Sequence, residues 1–355
     1  MNILVTGVGG PTPRSFAIAL KKFSFYKTCT LIGTDTNPLS VGLYQKELFT
    51  KTYVIPPASS SSYWSAIEKI IQEDKIDLAV IQPEMEVMEW SRRMMKSSLP
   101  CKSLIPEISL ATLLVDKAKM TSVLAESNLV PKSVEFNRNQ KDFGSVFNEL
   151  DFPFWVRSTG GTSGLGSLKV ERKEALKNWI DINPKVDQFL ASEFLPGRNL
   201  ACKLLYFEGK LIRAACAERV NYIMAKVSPS GITGNTSFGR LLNEPSLVGI
   251  AETAMEHLFK MSGSAKHGFF TVDFKEDKTG RPLITEINVR HVAFTQCFAA
   301  AGANFAEDTV RLLTGDKSFD TTFKMYVFQK DLIFLRDVDA LPILMKESEL
   351  LKINR

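Results

Sequence analysis

Over its first hundred residues the chain alternates short apolar runs with stretches of helical periodicity. No other feature restricts the fold as strongly. Asn2 to Thr6, Thr30 to Thr34, Tyr53-Val54-Ile55 and Ile76 to Ile81 read as strands. Arg14 to Phe23, Trp64 to Glu73 and Glu84 to Lys96 read as helices. Strands that alternate with helices are joined by crossovers, which makes the sheet parallel and doubly wound.

The pattern then changes. A helix from Ser109 through Lys117 and Leu124 leads to Val134 and to Phe152-Pro153-Phe154-Trp155-Val156-Arg157. A Gly-rich stretch, Ser158 to Ser167, separates that run from a return strand, Leu168-Lys169-Val170, and a helix from Lys173 to Ile182. Phe189 to Leu195, Ala201 to Phe207 and Leu211 to Ala217 follow as strands, the last two around a Glu208-Gly209-Lys210 turn. A helix from Ser246 to Met261 precedes two further runs, Phe269 to Phe274 and Glu286 to Arg290, with Lys278-Thr279-Gly280 as a hairpin turn between them. Phe305 to Leu313 reads as a helix and Met325 to Leu335 as a strand. No repeat of solenoid length occurs.

The hairpin carries the most chemistry. Alternation puts Glu286, Asn288 and Arg290 on one face and Ile287 and Val289 on the other. Pairing centred on the turn sets Asp273 opposite position 284, diagonal to Glu286 on the same face. Two carboxylates, an amide oxygen and a guanidinium suit a Mg²⁺ ion and a phosphate. An exposed polar face with an incidental ion pair gives the same pattern, and the hairpin alone leaves both readings open. In the Gly-rich stretch, Gly160, Gly161, Thr162, Ser163 and Gly164 offer amides and hydroxyls to phosphate oxygens, and Arg157 precedes them. It is no Walker A loop, since Gly-Lys-Ser/Thr is lacking, and no nucleophile elbow. A flexible surface hairpin is the other reading. Gly7-Val8-Gly9-Gly10 is half of a dinucleotide fingerprint, and Asp35 stands where a ribose-binding carboxylate would. Position 12 is threonine, however, and Pro11 and Pro13 distort the helix start. The three histidines have no metal spacing.

The net charge of +5, from 44 basic and 39 acidic residues well interspersed, is too mild for a nucleic-acid partner but suits small anions. The five cysteines show no C-x-x-C spacing, which argues for reduced thiols. The chain enters a strand at once without a leader pattern, and no apolar run reaches membrane-spanning length. A soluble cytoplasmic protein with no membrane partner is expected.

Together these motifs resemble the ATP-grasp superfamily, most closely its short proteins similar to half of the carbamoyl-phosphate synthase large subunit, over residues 1 to 315. The resemblance implies an α/β fold, α+β in the nucleotide part, with a Rossmann-like pre-ATP-grasp domain at 1–108. A small lid domain at 109–188, a metal-binding domain at 189–316 and a C-terminal extension at 317–355, open to a homodimer contact, would follow. It implies ATP bound by Lys117 after Asp116, by Arg157, by the 160–166 hairpin and by a hinge at Glu193, Phe194 and Leu195. Asp273, Glu286 and Asn288 would hold Mg²⁺, or Mn²⁺ in its place, and Arg290 would stabilise the transferring phosphoryl group. Lys226 resembles a γ-phosphate lysine of some members. Where the family places a ribose-binding glutamate, this chain has Asn199, which can still accept one hydrogen bond.

The implied activity is a carboxylate–amine, or carboxylate–thiol, ligase acting on small molecules through an acyl phosphate. Glu84, Glu86, Arg219 and Arg240 are candidates for the substrate pocket. The alternatives are an NAD(P)-dependent oxidoreductase built on the N-terminal turn and a nucleotide-binding module without turnover.

Overall fold

The computed structural model describes residues 1–140, 143–160, 167–228, 230–337, 343–346 and 348, and contains three sheets. The first consists of β1 (Asn2–Thr6), β2 (Thr30–Asp35), β3 (Lys51–Val54), β4 (Leu78–Val80) and β5 (Lys102–Ser103). All are parallel, in the order β3-β2-β1-β4-β5, with crossovers through α1 (Pro11–Phe23), α2 (Tyr63–Glu73) and α3 (Glu84–Lys96). The winding reverses between β1 and β4, so a crevice opens beyond their carboxyl ends. Gly7 begins the turn there at φ +68°, and a Cβ on it would lie 2.4 Å from Pro83 Cγ. Only glycine accepts that conformation and that approach.

The helix expected from Ser109 to Leu124 is two, α4 (Ile108–Val115) and α5 (Lys117–Leu124). Asp116 is extended between them and caps α5, its carboxylate accepting the amides of Ala118 and Lys119 at 3.1 Å. A side chain that competes for the first-turn amides favours a new helix start over continuation.

The second sheet holds β6 (Ser133–Asn137), β7 (Phe154–Ser158), β8 (Leu168–Val170) and β9 (Gln188–Glu193), antiparallel in the order β6-β9-β7-β8. Helices α6 (Gly144–Glu149) and α7 (Lys173–Ile182) pack against it. Gly161, Thr162, Ser163 and Gly164 of the expected phosphate hairpin lie outside the described residues.

The third sheet comprises β10 (Asn199–Phe207), β11 (Lys210–Tyr222), β12 (Thr236–Leu242), β13 (Gly268–Glu276), β14 (Pro282–Asn288), β15 (Lys324–Met325), β16 (Leu332–Leu335) and β17 (Ile343–Lys346). Its order is β14-β13-β10-β11-β12-β16-β17, with β15 beside β11. Helices α8 (Pro245–Ser262), α9 (Thr295–Ala300) and α10 (Phe305–Thr314) complete it. The single strand expected from Met325 to Leu335 is broken. β15 runs parallel to the start of β11, β16 pairs antiparallel with β12, and Asp331 at φ +61° turns the chain between them.

The β13–β14 register also differs from the expected one. Pairing runs from Glu276↔Pro282 to Phe274↔Ile284, and a bulge at Thr285 then sets Asp273 opposite Glu286 rather than 284. Ile284 and Ile287, three apart and both buried, are the trace that this extra residue leaves in the sequence.

Packing divides unevenly. One core runs from Leu4 and Ala79 of the first sheet to Leu200, Phe270 and Ile287 of the third. The second sheet closes on a core of its own around Phe136, Phe154, Leu176 and Phe189.

Candidate active site

The facing edges of the second and third sheets enclose a cavity of about 1140 Å³ that extends to the carboxyl ends of β1 and β4. Asp273 and Glu286 face each other across β13 and β14, with Asn288 one pair further along. Asp273 is held from two sides: Arg219 Nη1 donates to Oδ1 at 3.1 Å and Asn288 Nδ2 to Oδ2 at 3.1 Å. Burial pushes its carboxyl up to about 6, although the Arg219 guanidinium opposes the shift. Asn288 gives its amino group to this bond and keeps its amide oxygen as an acceptor.

The bulge has a structural role of its own. It presents the Thr285 carbonyl to Arg157, whose Nη2 donates to it at 2.6 Å from the neighbouring sheet. Arg157 Nε is buried without a hydrogen-bond partner among the described residues. Burial lowers the Arg157 pKa and the Glu286 charge opposes this; arginine keeps its proton regardless. Lys117, the first residue of α5, is buried and lies 3.8 Å from Glu286 Oε1. Its own amide bonds the Thr159 carbonyl at 3.1 Å, so the cap on Asp116 and this bond together aim the ammonium. Arg290 donates to the His291 carbonyl at 3.1 Å; burial lowers its pKa, and Glu84, Glu286 and Asp273 pull it back up. Four cations, Arg219 included, therefore surround two carboxylates and an amide oxygen.

The hinge is equally local. Glu193 exchanges hydrogen bonds with Lys132, its amide donating to the carbonyl at 2.9 Å and its Oε1 accepting from the amide at 3.0 Å. The Lys169 ammonium stands 4.9 Å from the centroid of the Phe194 ring. Gly197 lies against β13, where a Cβ would come within 2.5 Å of Glu276 Cβ.

Of the expected site residues, Lys117, Arg157, Gly160, Glu193, Phe194, Leu195, Asn199, Asp273, Glu286, Asn288 and Arg290 all line the cavity. Glu84 and Arg219 do so as well. Lys226 does not: it is exposed on a short turn after β11 and is absent from the described lining. Glu86 is also set apart. It is buried, accepts from the Tyr63 hydroxyl at 2.6 Å, and is pushed up to about 7 by that burial. Arg240 pairs with Glu218 at 3.0 Å, outside the described lining. Sequence reasoning missed Gln82, Trp155 and Lys169, which also line the cavity, as do Tyr222 and the 230–235 segment of the 218–240 region that the resemblance assigns to the substrate pocket. Gln82 alone left a signal, as a polar residue at a strand end two positions before Glu84.

Three amides of the N-terminal turn are engaged within the protein. Val8 N–H bonds the Thr34 carbonyl at 3.0 Å, Gly9 N–H bonds Asp35 Oδ2 at 2.7 Å, and Gly10 N–H bonds the Gly7 carbonyl at 3.0 Å. Asp35 therefore braces the turn, its two oxygens accepting the Gly9 and Asn37 amides.

The sequence matches no family model and no curated protein. Solved structures do match. The ADP complex of N5-carboxyaminoimidazole synthetase from Staphylococcus aureus superposes with a TM-score of 0.69 at 14% identity, covering 94% of this chain and 81% of the other. L-amino acid ligase from Bacillus licheniformis gives 0.65 at 14% identity, with 94% and 78% covered. The biotin carboxylase domain of Hydrogenobacter thermophilus 2-oxoglutarate carboxylase, bound to MgADP, ADP and bicarbonate, gives 0.66 at 15% identity, with 94% and 74% covered. The chain has the ATP-grasp fold. The cavity lies between the second and third sheets of that fold.

The metal positions fit a hard cation. Asp273, Glu286 and Asn288 offer only oxygen, on adjacent strands, which is the donor set of Mg²⁺ or Mn²⁺. Among the described residues no group of three or more His, Cys, Asp or Glu side chains is poised to bind a metal, so an ion here would take the Asn288 oxygen or water beside the two carboxylates.

Proposed function

We propose that this chain is an ATP- and Mg²⁺-dependent ligase that activates a small carboxylate as an acyl phosphate and passes the acyl group to an amine, or to a thiol. The observation that carries the reading is the meeting of Lys117, Arg157 and Arg290 with Asp273, Glu286 and Asn288 in one cavity of an ATP-grasp fold. In this reading residues 1–108 form the pre-ATP-grasp domain, 109–188 the lid, 189–316 the metal-binding domain and 317–355 an extension.

Lys117 and Arg157 would hold the ATP phosphates, and Arg290 would spread the charge that builds as the γ-phosphoryl group moves to the substrate carboxylate. Asp273, Glu286 and Asn288 would hold Mg²⁺, which when bound supplies neutralising charge at the phosphates. Glu193 and Leu195 would read the base through their backbone, and Asn199 would take one ribose hydroxyl. A neutral amide in place of a carboxylate weakens that contact by about 1 kcal/mol. No side-chain nucleophile is needed, since positioning and charge do the chemistry. A closed lid keeps water from the acyl phosphate.

The test is ADP and phosphate release over a panel of carboxylates and amines, with hydroxylamine to trap any acyl phosphate as a hydroxamate. Glu286→Gln is expected to reduce ADP release at least about a hundredfold, the scale of losing one charged group that acts on a transition state. Unchanged turnover in that variant would show the metal assignment to be wrong.

A further inference from the structure

The resemblance makes Arg219 a candidate for the substrate pocket, yet all three of its guanidinium nitrogens donate to acceptors inside the protein. Nε reaches Thr236 Oγ1 at 3.0 Å, Nη1 reaches Asp273 Oδ1 at 3.1 Å and Nη2 reaches the Gly234 carbonyl at 2.7 Å. The guanidinium also lies 5.0 Å from the ring centroid of Tyr222 and 5.7 Å from that of Phe294, and the residue is 9% exposed. A planar fork held at every nitrogen is a fixed part of the framework.

The reach to Asp273 has a local cause. Ala217 on β11 pairs with Ala201 on β10, and Ala201 pairs in turn with Asp273 on β13, so the three share one face of the third sheet. Arg219 stands two residues beyond Ala217 and projects to that face. Ala201 and Ala217 are both fully buried and end in a methyl group, which leaves the arginine room to cross two strands. Its other two acceptors belong to the return of the chain into β12. Gly234 lies in the connection from β11, Thr236 opens β12, and residues 230–235 line the cavity. One buried side chain therefore holds a carboxylate of the metal positions and a wall of the cavity together.

We propose that Arg219 is a positioning residue for the metal site: it orients Asp273 toward the ion and fixes the 230–235 wall to the same carboxylate. The proposal rests on the ligase reading above, through its assignment of Asp273 to Mg²⁺. Each carboxylate oxygen has about two acceptor positions, so Arg219 on Oδ1 and Asn288 on Oδ2 leave one on each for the ion. A hydrogen-bond partner that orients a ligating carboxylate raises metal affinity through geometry. Charge alone would act the other way, because a guanidinium beside the ion repels it. The two effects have opposite signs, and a substitution that keeps the charge but loses the fork tells them apart.

The experiment is Mn²⁺ titration of the full chain with ADP, read by the electron paramagnetic resonance signals of free and bound ion. Arg219→Lys is expected to weaken Mn²⁺ binding about 10–100-fold, the range for losing a residue that orients a metal ligand, and to alter the bound-ion signal. Thr236→Val removes the Nε contact without touching the charge or the metal positions, and should weaken binding in the same direction by less. Unchanged or tighter binding in Arg219→Lys would overturn the positioning role. Where that variant does not fold, Thr236→Val decides, and unchanged affinity in it overturns the role as well. No Mn²⁺ binding by the unmodified chain would instead count against the ligase reading. The link is then read without ligand, from hydrogen exchange at residues 234–238, which Asp273→Asn should speed at least about tenfold, as loss of a charge-assisted hydrogen bond does. Unchanged exchange there would overturn the link.

Discussion

Lys203 departs furthest from the usual environment of its residue type. It is fully buried on β10, donates to Thr295 Oγ1 at 2.8 Å, and lies within 6 Å of the ring centroids of Phe269, Phe294, Phe298 and Phe305. Burial pushes its pKa down to about 7 from 10.5, while the ring faces favour the cation. Between those values the unfolded chain holds a proton that the folded one lacks, so stability rises with pH across that window. Below about 7 the full cost of burying the charge is felt. Lys203→Met should flatten the slope between these limits and add about 1–3 kcal/mol near neutrality, the usual result of replacing a buried charge by an apolar side chain. Urea unfolding of both proteins at several pH values checks this, and a slope retained in the variant would refute it. A lysine inside the apolar run Leu200 to Phe207 was visible in the sequence. Its aromatic surroundings were not, since they come from β13, α9, α10 and the turn before α9.

At the scale of the element, the break between α4 and α5 and the bulge in β14 decide where the charges point. Asp116 starts α5 and thereby places Lys117 at its first position, where the ammonium reaches Glu286. Asp116→Ala should cost about 1 kcal/mol of stability, as loss of an N-cap does, and should also weaken MgADP binding, because Lys117 loses its anchor. Denaturant unfolding and nucleotide titration report the two effects separately; a stability loss with unchanged nucleotide affinity would detach the cap from the site. Helical periodicity runs through 109–124 without interruption, so the pattern announced one helix, and only the capping geometry divides it. The bulge was hidden in the same way. Period-2 alternation identified Glu286 and Asn288 as partners on one face, but the extra residue at Thr285 changed which residue Asp273 meets.

At the scale of the molecule, the first and third sheets share a core whereas the second closes on its own. Few apolar contacts oppose movement of the second sheet as a unit, and the polar contacts across the cavity, such as Arg157 to Thr285, tie it down. Hydrogen exchange should therefore slow over β7, β9 and the 194–198 hinge when MgADP is added, with β1, β2 and β10 unchanged. Equal protection with and without nucleotide would mean that the second sheet is already fixed. The sequence by itself determined the parallel sheet, the antiparallel hairpin and most of the charged groups of the site. Residue periodicity is a local property, and it set Glu286 and Asn288 on one face of the hairpin. The tertiary structure decided which of these groups meet. It paired Asp273 with Glu286, left Lys226 and Glu86 out of the cavity, and filled the N-terminal turn with Asp35. Those outcomes depend on a bulge, on which amides a carboxylate caps and on how the sheets pack, none of which leaves a period in the chain.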